Sequence, residues 1–196
     1  MTPADVKVFF NFRSPYCYLA SKTMFSIFED FHARLLWRPL GGWDGRSAPD
    51  RAKVKVPLTR QDIQRWARRL GIPCNPPPIS TDPTPAGRVS LLAEDKGVLR
   101  EYIVAMMARE WAEATDIGER AEVIEVGNGV GLATADIEAA LDGEATEKQL
   151  AANWEEAQSL GVMGVPTFVV DDQIFWGNDR QEFLREYLME KRLRRL

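Results

Sequence analysis

The chain has 196 residues, of which 45% are hydrophobic and 28% are charged, and its formal net charge at pH 7 is −4. This length accommodates one large domain, or a smaller domain with an insertion, around a sizeable hydrophobic core. The acidic balance argues against a nucleic-acid partner, because such binding rests on a net or clustered positive field. No apolar run reaches the roughly 20 residues of a membrane-spanning helix, so no membrane partner is expected.

The chain contains only two cysteines, Cys17 and Cys74, and one histidine, His32. This sparse set does not provide the ligand cluster that zinc and related metals use, so no metal site is expected. The sequence also shows no pattern typical of a secretory leader. A protein with few cysteines and no leader is typical of a reducing compartment, and we expect a cytoplasmic location.

The first predicted elements form a β-α-β unit. Residues 5–12 are rich in Val and Phe and predict a buried strand. Ser14 suits a helix N-cap and Pro15 suits the first turn, and apolar residues then recur with a helical period to residue 31. The segment ARLLWRPL predicts a second short strand. A β-α-β unit is the usual beginning of a parallel sheet.

The middle of the chain is predicted to be helical. A charged, Gly- and Pro-rich loop is expected over residues 41–57, before a helix over residues 59–71. Further helices are expected over residues 86–96, 98–113, 117–126 and 146–160, with another after residue 134. None of these segments has the alternation that is typical of a strand.

The end of the chain predicts a β-hairpin and a helix. Two β-rich runs flank Asp171-Asp172, a suitable hairpin turn, and a helix is expected over residues 179–194. The basic end of that helix, EKRLRRL, is interpreted as a solvent-exposed last turn whose cations complement the helix dipole. Together the elements predict an α/β protein with a thioredoxin-like fold and an inserted all-helical domain. The thioredoxin-like domain is assigned to residues 1–52 and 161–196, and the helical insertion to residues 53–160.

The stretch SPYC gives Ser14 and Cys17 the spacing of a C-x-x-C dithiol with the first sulfur replaced by a hydroxyl. Ser14 lies where a strand meets a helix N-terminus, a place that favours ligands and anions such as a thiolate. The alternative is that Ser14 is only an N-cap. An activated serine nucleophile is not expected, because His32 is poorly placed for a Ser-His pair. Cys17 is expected to face inward and be inert, with a resolving or regulatory thiol as the alternative.

Two further segments contain candidate binding residues. Val165-Pro166 precedes a predicted strand, and the sequence leaves open whether this peptide bond is cis. If it is cis, the Val165 backbone can present its N–H and C=O to an extended, peptide-like ligand. In FWGNDR, Asn178 is a candidate cap, with Asp179 and Arg180 in the following turn. Asp179 is either a surface charge favoured by the helix dipole or a site for an ammonium group.

Four segments in this order resemble the kappa-class glutathione transferase group of the thioredoxin fold, and within it the bacterial 2-hydroxychromene-2-carboxylate isomerases. They are FNFRSPYCYLA, KVKVPLTRQDIQRWARRLGIP, GVMGVPTFVV and FWGNDR, and the resemblance covers essentially the whole chain. It implies a glutathione cofactor, a small aromatic substrate and a homodimer. The isomerases of this group commonly have serine where this chain has Cys17, so a different substrate or a residual thiol activity stays open.

The resemblance also implies roles for individual residues. Ser14 is expected to bind the glutathione sulfur and to favour its thiolate. Val165, next to a cis Pro166, is expected to pair with the glutathione backbone, and Lys55 to lie near the glycine carboxylate. Asn11 is close enough to Ser14 to line the same pocket, although it can equally terminate the first strand.

The γ-glutamyl end of glutathione is expected to be held by Asn178, Asp179 and Arg180. The implied reaction is reversible addition of the glutathione thiolate to a conjugated double bond, rotation, and elimination of the thiol. A kappa-type transferase or peroxidase is the main alternative. A DsbA-like oxidoreductase is disfavoured, because Ser14 cannot form a mixed disulfide. Four aromatic residues could either line a substrate pocket or pack in the core: Phe10, Tyr18, Trp37 and Trp43.

Overall fold

The computed structural model describes residues 2–47 and 49–195. Its strands are β1 (Ala4–Phe10), β2 (Ala33–Pro39), β3 (Thr167–Val170) and β4 (Gln173–Trp176). They form one sheet in the order β2-β1-β3-β4, with β2 parallel to β1 and the other two pairings antiparallel. The two ends of the chain therefore build one sheet between them.

The β1 strand is central and buried on both faces, which explains its continuous apolar run. Val8 lies opposite Trp37 on one side and Phe168 on the other, and all three are buried. The predicted hairpin at Asp171-Asp172 is confirmed: β3 and β4 are joined by these two residues. Asp171 has a φ of 53°, a left-handed conformation that aspartate tolerates better than most residues.

The prediction of a single helix over residues 16–31 is wrong in one respect, because the helix is interrupted in the structure. The structure has α1 (Pro15–Ser21) and α2 (Phe25–Asp30). Between them the backbone tightens, since Lys22 N donates to Leu19 O and Thr23 N donates to Ala20 O. The hydroxyl of Ser21 also bonds to a carbonyl of the preceding turn, at 2.7 Å, and such side-chain bonds compete with regular helix.

The loop predicted over residues 41–57 is wrong in its second half, because α3 (Pro49–Leu70) begins there. Pro57 lies inside this helix, and an internal proline is a signal that normally ends one. Five more helices follow: α4 (Thr84–Asp95), α5 (Leu99–Trp111), α6 (Arg120–Gly129), α7 (Thr134–Asp142) and α8 (Glu144–Ser159). The insertion joins the sheet domain where α4 and α8 contact β2 and α5 contacts α1.

The last helix is shorter than predicted. A 3₁₀ turn at Asn178–Arg180 leads into α9 (Gln181–Glu190), and the basic end does not continue it. Instead Leu193 O accepts from His32 N at 2.7 Å, and Arg195 N donates to Asp30 O at 2.8 Å. The interpretation of EKRLRRL as a last helical turn is therefore wrong for residues 191–195, which leave the helix and pair with the end of α2 and the residues after it, while Leu196 lies outside the described residues.

The architecture confirms a thioredoxin-like fold whose sheet is interrupted by helices α3 to α8, which lie between β2 and β3. The division into residues 1–52 with 161–196 and residues 53–160 stays a prediction, and its first boundary falls within α3. Across residues 2–47 and 49–195, no helix has both the length and the apolar character needed to cross a membrane.

Candidate active site

Ser14 lies between β1 and α1, where it caps the helix with extended backbone angles. Its Oγ accepts from Cys17 N and donates to the Val165 carbonyl, each at 3.4 Å. Both distances are long for hydroxyl hydrogen bonds, which centre near 2.8 Å. The side chain is 7% exposed. The hydroxyl is therefore held weakly and can turn to a stronger acceptor at the surface.

Cys17 faces inward as predicted and is 0% exposed. Burial raises the pKa of its thiol to about 12, and the nearby Glu110 carboxylate acts in the same direction. The Ser14 hydroxyl and a backbone hydrogen bond from Asn11 oppose this effect only in part. A thiol with such a pKa is neutral at physiological pH, and the thiolate is the reactive form. Cys17 is therefore unsuited to attack or resolve a disulfide.

The Val165–Pro166 peptide bond is cis. Its carbonyl side faces Ser14, and the loop over residues 41–47 approaches it closely from another direction. A Cβ on Gly45 would lie 2.8 Å from Val165 Cγ1, and Gly45 also has a φ of +67°. Glycine is the residue that meets both conditions. The structure thus brings Ser14, Val165 and this loop together.

Asn11 contacts the backbone of the same loop but is itself 0% exposed. Its Nδ2 donates to Asp44 O at 3.1 Å and to Gly42 O at 3.4 Å, while its Oδ1 accepts from Arg13 N at 3.0 Å. The Asn11 carbonyl accepts from Ser14 N at 2.9 Å. Asn11 follows the end of β1 and positions both the Ser14 segment and the loop after β2. Its role in a pocket wall stays a prediction.

The Asn178–Arg180 turn packs beside α1, as a shared binding region requires. Asp179 and Arg180 form an ion pair of 2.6 Å, and both side chains are about half exposed. Gly177 has a φ of +115°, and a Cβ there would lie 2.5 Å from Asp179 Oδ1, so this turn depends on glycine. Asn178 O accepts from Gln181 Nε2 at 3.1 Å. The two charged side chains satisfy each other and remain open to solvent.

Lys55 lies on α3, where its exposed Nζ donates to Ser47 Oγ at 3.0 Å. This contact is with the loop after β2. Within the described residues, Lys55 makes no hydrogen bond to Ser14 or to the Asn178–Arg180 turn. The role of Lys55 in binding a carboxylate therefore stays a prediction.

Three charged residues near Ser14 were not found by sequence reasoning. Arg13 precedes Ser14, and its guanidinium points to Glu110 on α5, with an Nη1–Oε1 distance of 3.7 Å. Arg46, in the loop after β2, lies within electrostatic range of both. The one feature of the sequence that could have indicated this group was the charge of Arg13 inside an otherwise apolar stretch.

Of the four aromatic candidates, Phe10, Tyr18 and Trp37 are core residues and Trp43 is 50% exposed.

A match to a known protein family establishes the family of this chain. The chain matches the model of the DSBA-like thioredoxin domain over residues 5–189. It belongs to that family. A curated relative from Sphingobium xenophagum, 2-hydroxychromene-2-carboxylate isomerase, is 27% identical over 192 residues, covering 94% of this chain and 98% of the relative.

Solved structures show the same fold. A structure of a 2-hydroxychromene-2-carboxylate isomerase has a TM-score of 0.81 at 23% identity and covers 95% of each chain. The cytosolic disulfide reductase DsbM from Pseudomonas aeruginosa, solved with GSH, has a TM-score of 0.71 at 20% identity, covering 94% of this chain and 99% of that one. Members of this fold therefore include proteins named as isomerases and as disulfide reductases.

Proposed function

We propose that this protein is a glutathione-dependent isomerase that interconverts 2-hydroxychromene-2-carboxylate and trans-o-hydroxybenzylidenepyruvate, or a similar intermediate of aromatic catabolism. The observation that carries the proposal is the pairing of Ser14 with Cys17. A weakly held hydroxyl occupies the position of the first sulfur of a dithiol, and the remaining thiol is buried and neutral. Such a site suits a sulfur that is supplied by a bound thiol.

The neighbouring residues fit the chemistry of glutathione. The cis Val165–Pro166 bond lies beside Ser14, where backbone groups suit a peptide-like ligand. Asp179 and Arg180 offer one negative and one positive group, which match the ammonium and carboxylate of a γ-glutamyl end. Because their ion pair is half exposed, it is weak, and a ligand can replace it at little cost. Lys55 would serve the glycine carboxylate.

Bound glutathione would supply a thiolate that adds to the conjugated double bond and is released again after rotation, so no net redox change occurs. Ser14 would hold that sulfur by donating its hydroxyl proton, exchanging the 3.4 Å contact with Val165 for a charge-assisted one. Stabilising the thiolate lowers its pKa, which raises the fraction of nucleophile at neutral pH. Asn11 would keep the Ser14 segment in place through its backbone contacts.

The named relatives support an isomerase, and their lengths agree with that of this chain. We extend to this chain the expected homodimer and cytoplasmic location as parts of the same proposal. A kappa-type transferase or peroxidase would use the same thiol site and would differ in its electrophile pocket. Disulfide exchange is the weaker alternative, because the one cysteine of the SPYC stretch has a pKa raised to about 12 by burial.

The test follows 2-hydroxychromene-2-carboxylate by ultraviolet absorbance with and without glutathione. The proposal predicts turnover that requires glutathione without consuming it. Conjugation of a chloronitrobenzene in the absence of isomerisation would favour the transferase instead. Absence of any glutathione-stimulated turnover, together with no rise in melting temperature when glutathione is added, would reject glutathione as the cofactor.

A further inference from the structure

Buried polar atoms without hydrogen-bond partners concentrate near Ser14. Among the described residues, six buried side-chain nitrogen or oxygen atoms have no partner, and five of them belong to four residues. These four are Arg13, Thr81, Glu110 and Trp111. Buried polar groups are nearly always paired, so a concentration of unpaired ones requires an explanation. We refer to Arg13, Arg46, Thr81, Glu110 and Trp111 as the arginine cluster.

Arg13 connects this cluster to Ser14. Its backbone N is held by Asn11 Oδ1, and its Nη2 donates to Pro78 O at 3.0 Å. The backbone N of Thr81 also donates to Pro78 O, which places Thr81 beside the same guanidinium. The guanidinium lies 5.4 Å from the centre of the Trp111 ring. Its side chain is 10% exposed, and a guanidinium has five donors, of which this one uses few.

Arg46 brings a second positive charge into the same region. Its Nη1 donates to Gly42 O at 3.2 Å, and its guanidinium stacks 4.0 Å from the centre of the Trp43 ring. Burial and, to a smaller extent, the positive charge of Arg13 lower the pKa of Arg46 to about 10. Two like charges that perturb each other are costly to hold together unless an anion joins them. Arg46 is half-buried and has an exposed aromatic neighbour in Trp43.

Glu110 does not supply that anion at neutral pH. It is 0% exposed, and neither carboxyl oxygen makes a hydrogen bond. Burial raises the pKa of Glu110 to about 8, despite the opposing effects of the Arg13 charge, the nearby Trp111 indole N–H and the Arg46 charge. Two other carboxylates act on the guanidiniums through their charge, since Asp82 favours the charged form of Arg46 and Asp116 that of Arg13. Their hydrogen bonds go to Thr84 and to Gly118 N instead, so both guanidiniums keep N–H donors for an external carboxylate.

We propose that Arg13 and Arg46 form a subsite for the carboxylate of an aromatic substrate, adjacent to the Ser14 hydroxyl. Planar guanidinium groups bind carboxylates through paired hydrogen bonds, and the exposed ring of Trp43 suits an aromatic body. The inference rests on the proposed function, since it assigns the substrate class of that site. It makes Arg13 and Arg46 specificity-determining residues and Glu110 a positioning residue.

Glu110 gives the subsite a dependence on pH. The charged and titratable groups that face it are Arg13, Arg46, Asp116 and Cys17. When Glu110 ionises, it neutralises Arg13 and repels an anionic ligand. Arg46, with a pKa lowered to about 10 by burial, stays charged up to pH 9, and the buried Cys17 stays neutral. Affinity for a carboxylate is therefore expected to fall as the pH rises through about 8.

The experiment measures binding of cinnamate and of its neutral analogue cinnamamide by calorimetry, with saturating glutathione present. Cinnamate keeps one negative charge over the whole range from pH 6 to pH 9. At pH 7 the wild-type protein is expected to prefer cinnamate by about tenfold or more, and Arg46→Gln to lose that preference. The matched control is Arg34→Gln, since Arg34 is an exposed arginine on β2 that pairs with Asp5.

Glu110→Gln keeps the size of the side chain and removes its ionisation. This variant is expected to bind cinnamate equally at pH 7 and pH 9, whereas the wild-type protein loses affinity; a merely structural role for Glu110 would not flatten the profile. Equal binding of the two probes, or an unchanged preference in Arg46→Gln, would overturn the subsite. So would an Arg46→Gln variant that lost affinity for glutathione instead. Binding requires no turnover, so failure of isomerisation is distinguished from failure of the subsite.

Discussion

Two groups of polar residues near α1 differ in how completely they are paired. The Asp179–Arg180 pair is half exposed and satisfied within its own turn. The arginine cluster is largely buried, and its Arg13–Glu110 distance of 3.7 Å is too long for a hydrogen bond. The first group can exchange its partner with a ligand at low cost. The second retains unused N–H donors, so a carboxylate that binds there forms hydrogen bonds without first breaking an ion pair. One site can in this way take a peptide-like thiol and an acidic aromatic compound side by side.

The largest expected effect comes from Ser14, which directly follows Arg13 and caps α1, the helix that the Asn178–Arg180 turn contacts. Ser14→Ala removes the hydroxyl that would hold the glutathione sulfur, and we expect kcat/KM for isomerisation to fall by about 10²–10³. Loss of the N-cap should cost only about 1 kcal/mol, so the variant should remain folded. Ser21→Ala is the matched control, because Ser21 is a buried serine of the same helix that bonds to Tyr18 O. Full activity of Ser14→Ala in the spectrophotometric assay would refute the role of Ser14.

The next largest expected effects are on KM, and they distinguish the Asp179–Arg180 pair from the arginine cluster. Asp179→Asn is expected to raise KM for glutathione by about tenfold and to leave KM for the aromatic substrate unchanged. Arg46→Gln is expected to raise KM for the aromatic substrate and to leave KM for glutathione unchanged. Asp172→Asn and Arg34→Gln serve as controls, since both residues are exposed on other parts of the sheet domain. If either variant raised both KM values equally, the division of the site into two groups would be wrong.

Glu110 should affect stability in a pH-dependent way. Its pKa is raised by burial to about 8, above the ordinary value of 4.5. Its contribution to stability is therefore complete below about pH 4.5 and is lost progressively as the pH rises from there through about 8. Glu110→Gln should be more stable than wild type at pH 9 by roughly 1–3 kcal/mol and should show a flatter pH profile. Urea unfolding at pH 6 and pH 9 measures this, with Glu186→Gln as an exposed control.

Cys17 should have the smallest effect on catalysis. Its thiol is fully buried, and burial raises its pKa to about 12. Cys17→Ala is expected to keep isomerase activity within about twofold, because a neutral buried thiol takes no part in the reaction. It should lose about 1 kcal/mol of stability through the small cavity that it leaves. A large loss of activity in a variant that remains folded would instead favour thiol-disulfide chemistry.

Sequence reasoning found the parts of the site that have local signals. Ser14 before Pro15 indicates a capped helix, and Asp171-Asp172 between β-rich runs indicates a hairpin. It missed the start of α3, because Pro57 resembles a helix breaker and nothing local shows that the helix tolerates it. It also missed the proximity of Arg13 to Glu110. These residues lie far apart in the chain, and neither pattern nor propensity predicts which helix face meets the Ser14 segment.

The central claim is that Ser14 stabilises the thiolate of bound glutathione. The most direct test is a pH titration of that thiolate by ultraviolet difference absorbance, in the wild-type protein and in Ser14→Ala. The wild-type protein should give a thiol pKa well below that of glutathione in solution, and the variant should bind glutathione with a pKa close to the solution value. The account would be contradicted if glutathione bound to the wild-type protein with an unchanged pKa, or if Ser14→Ala lowered the pKa equally.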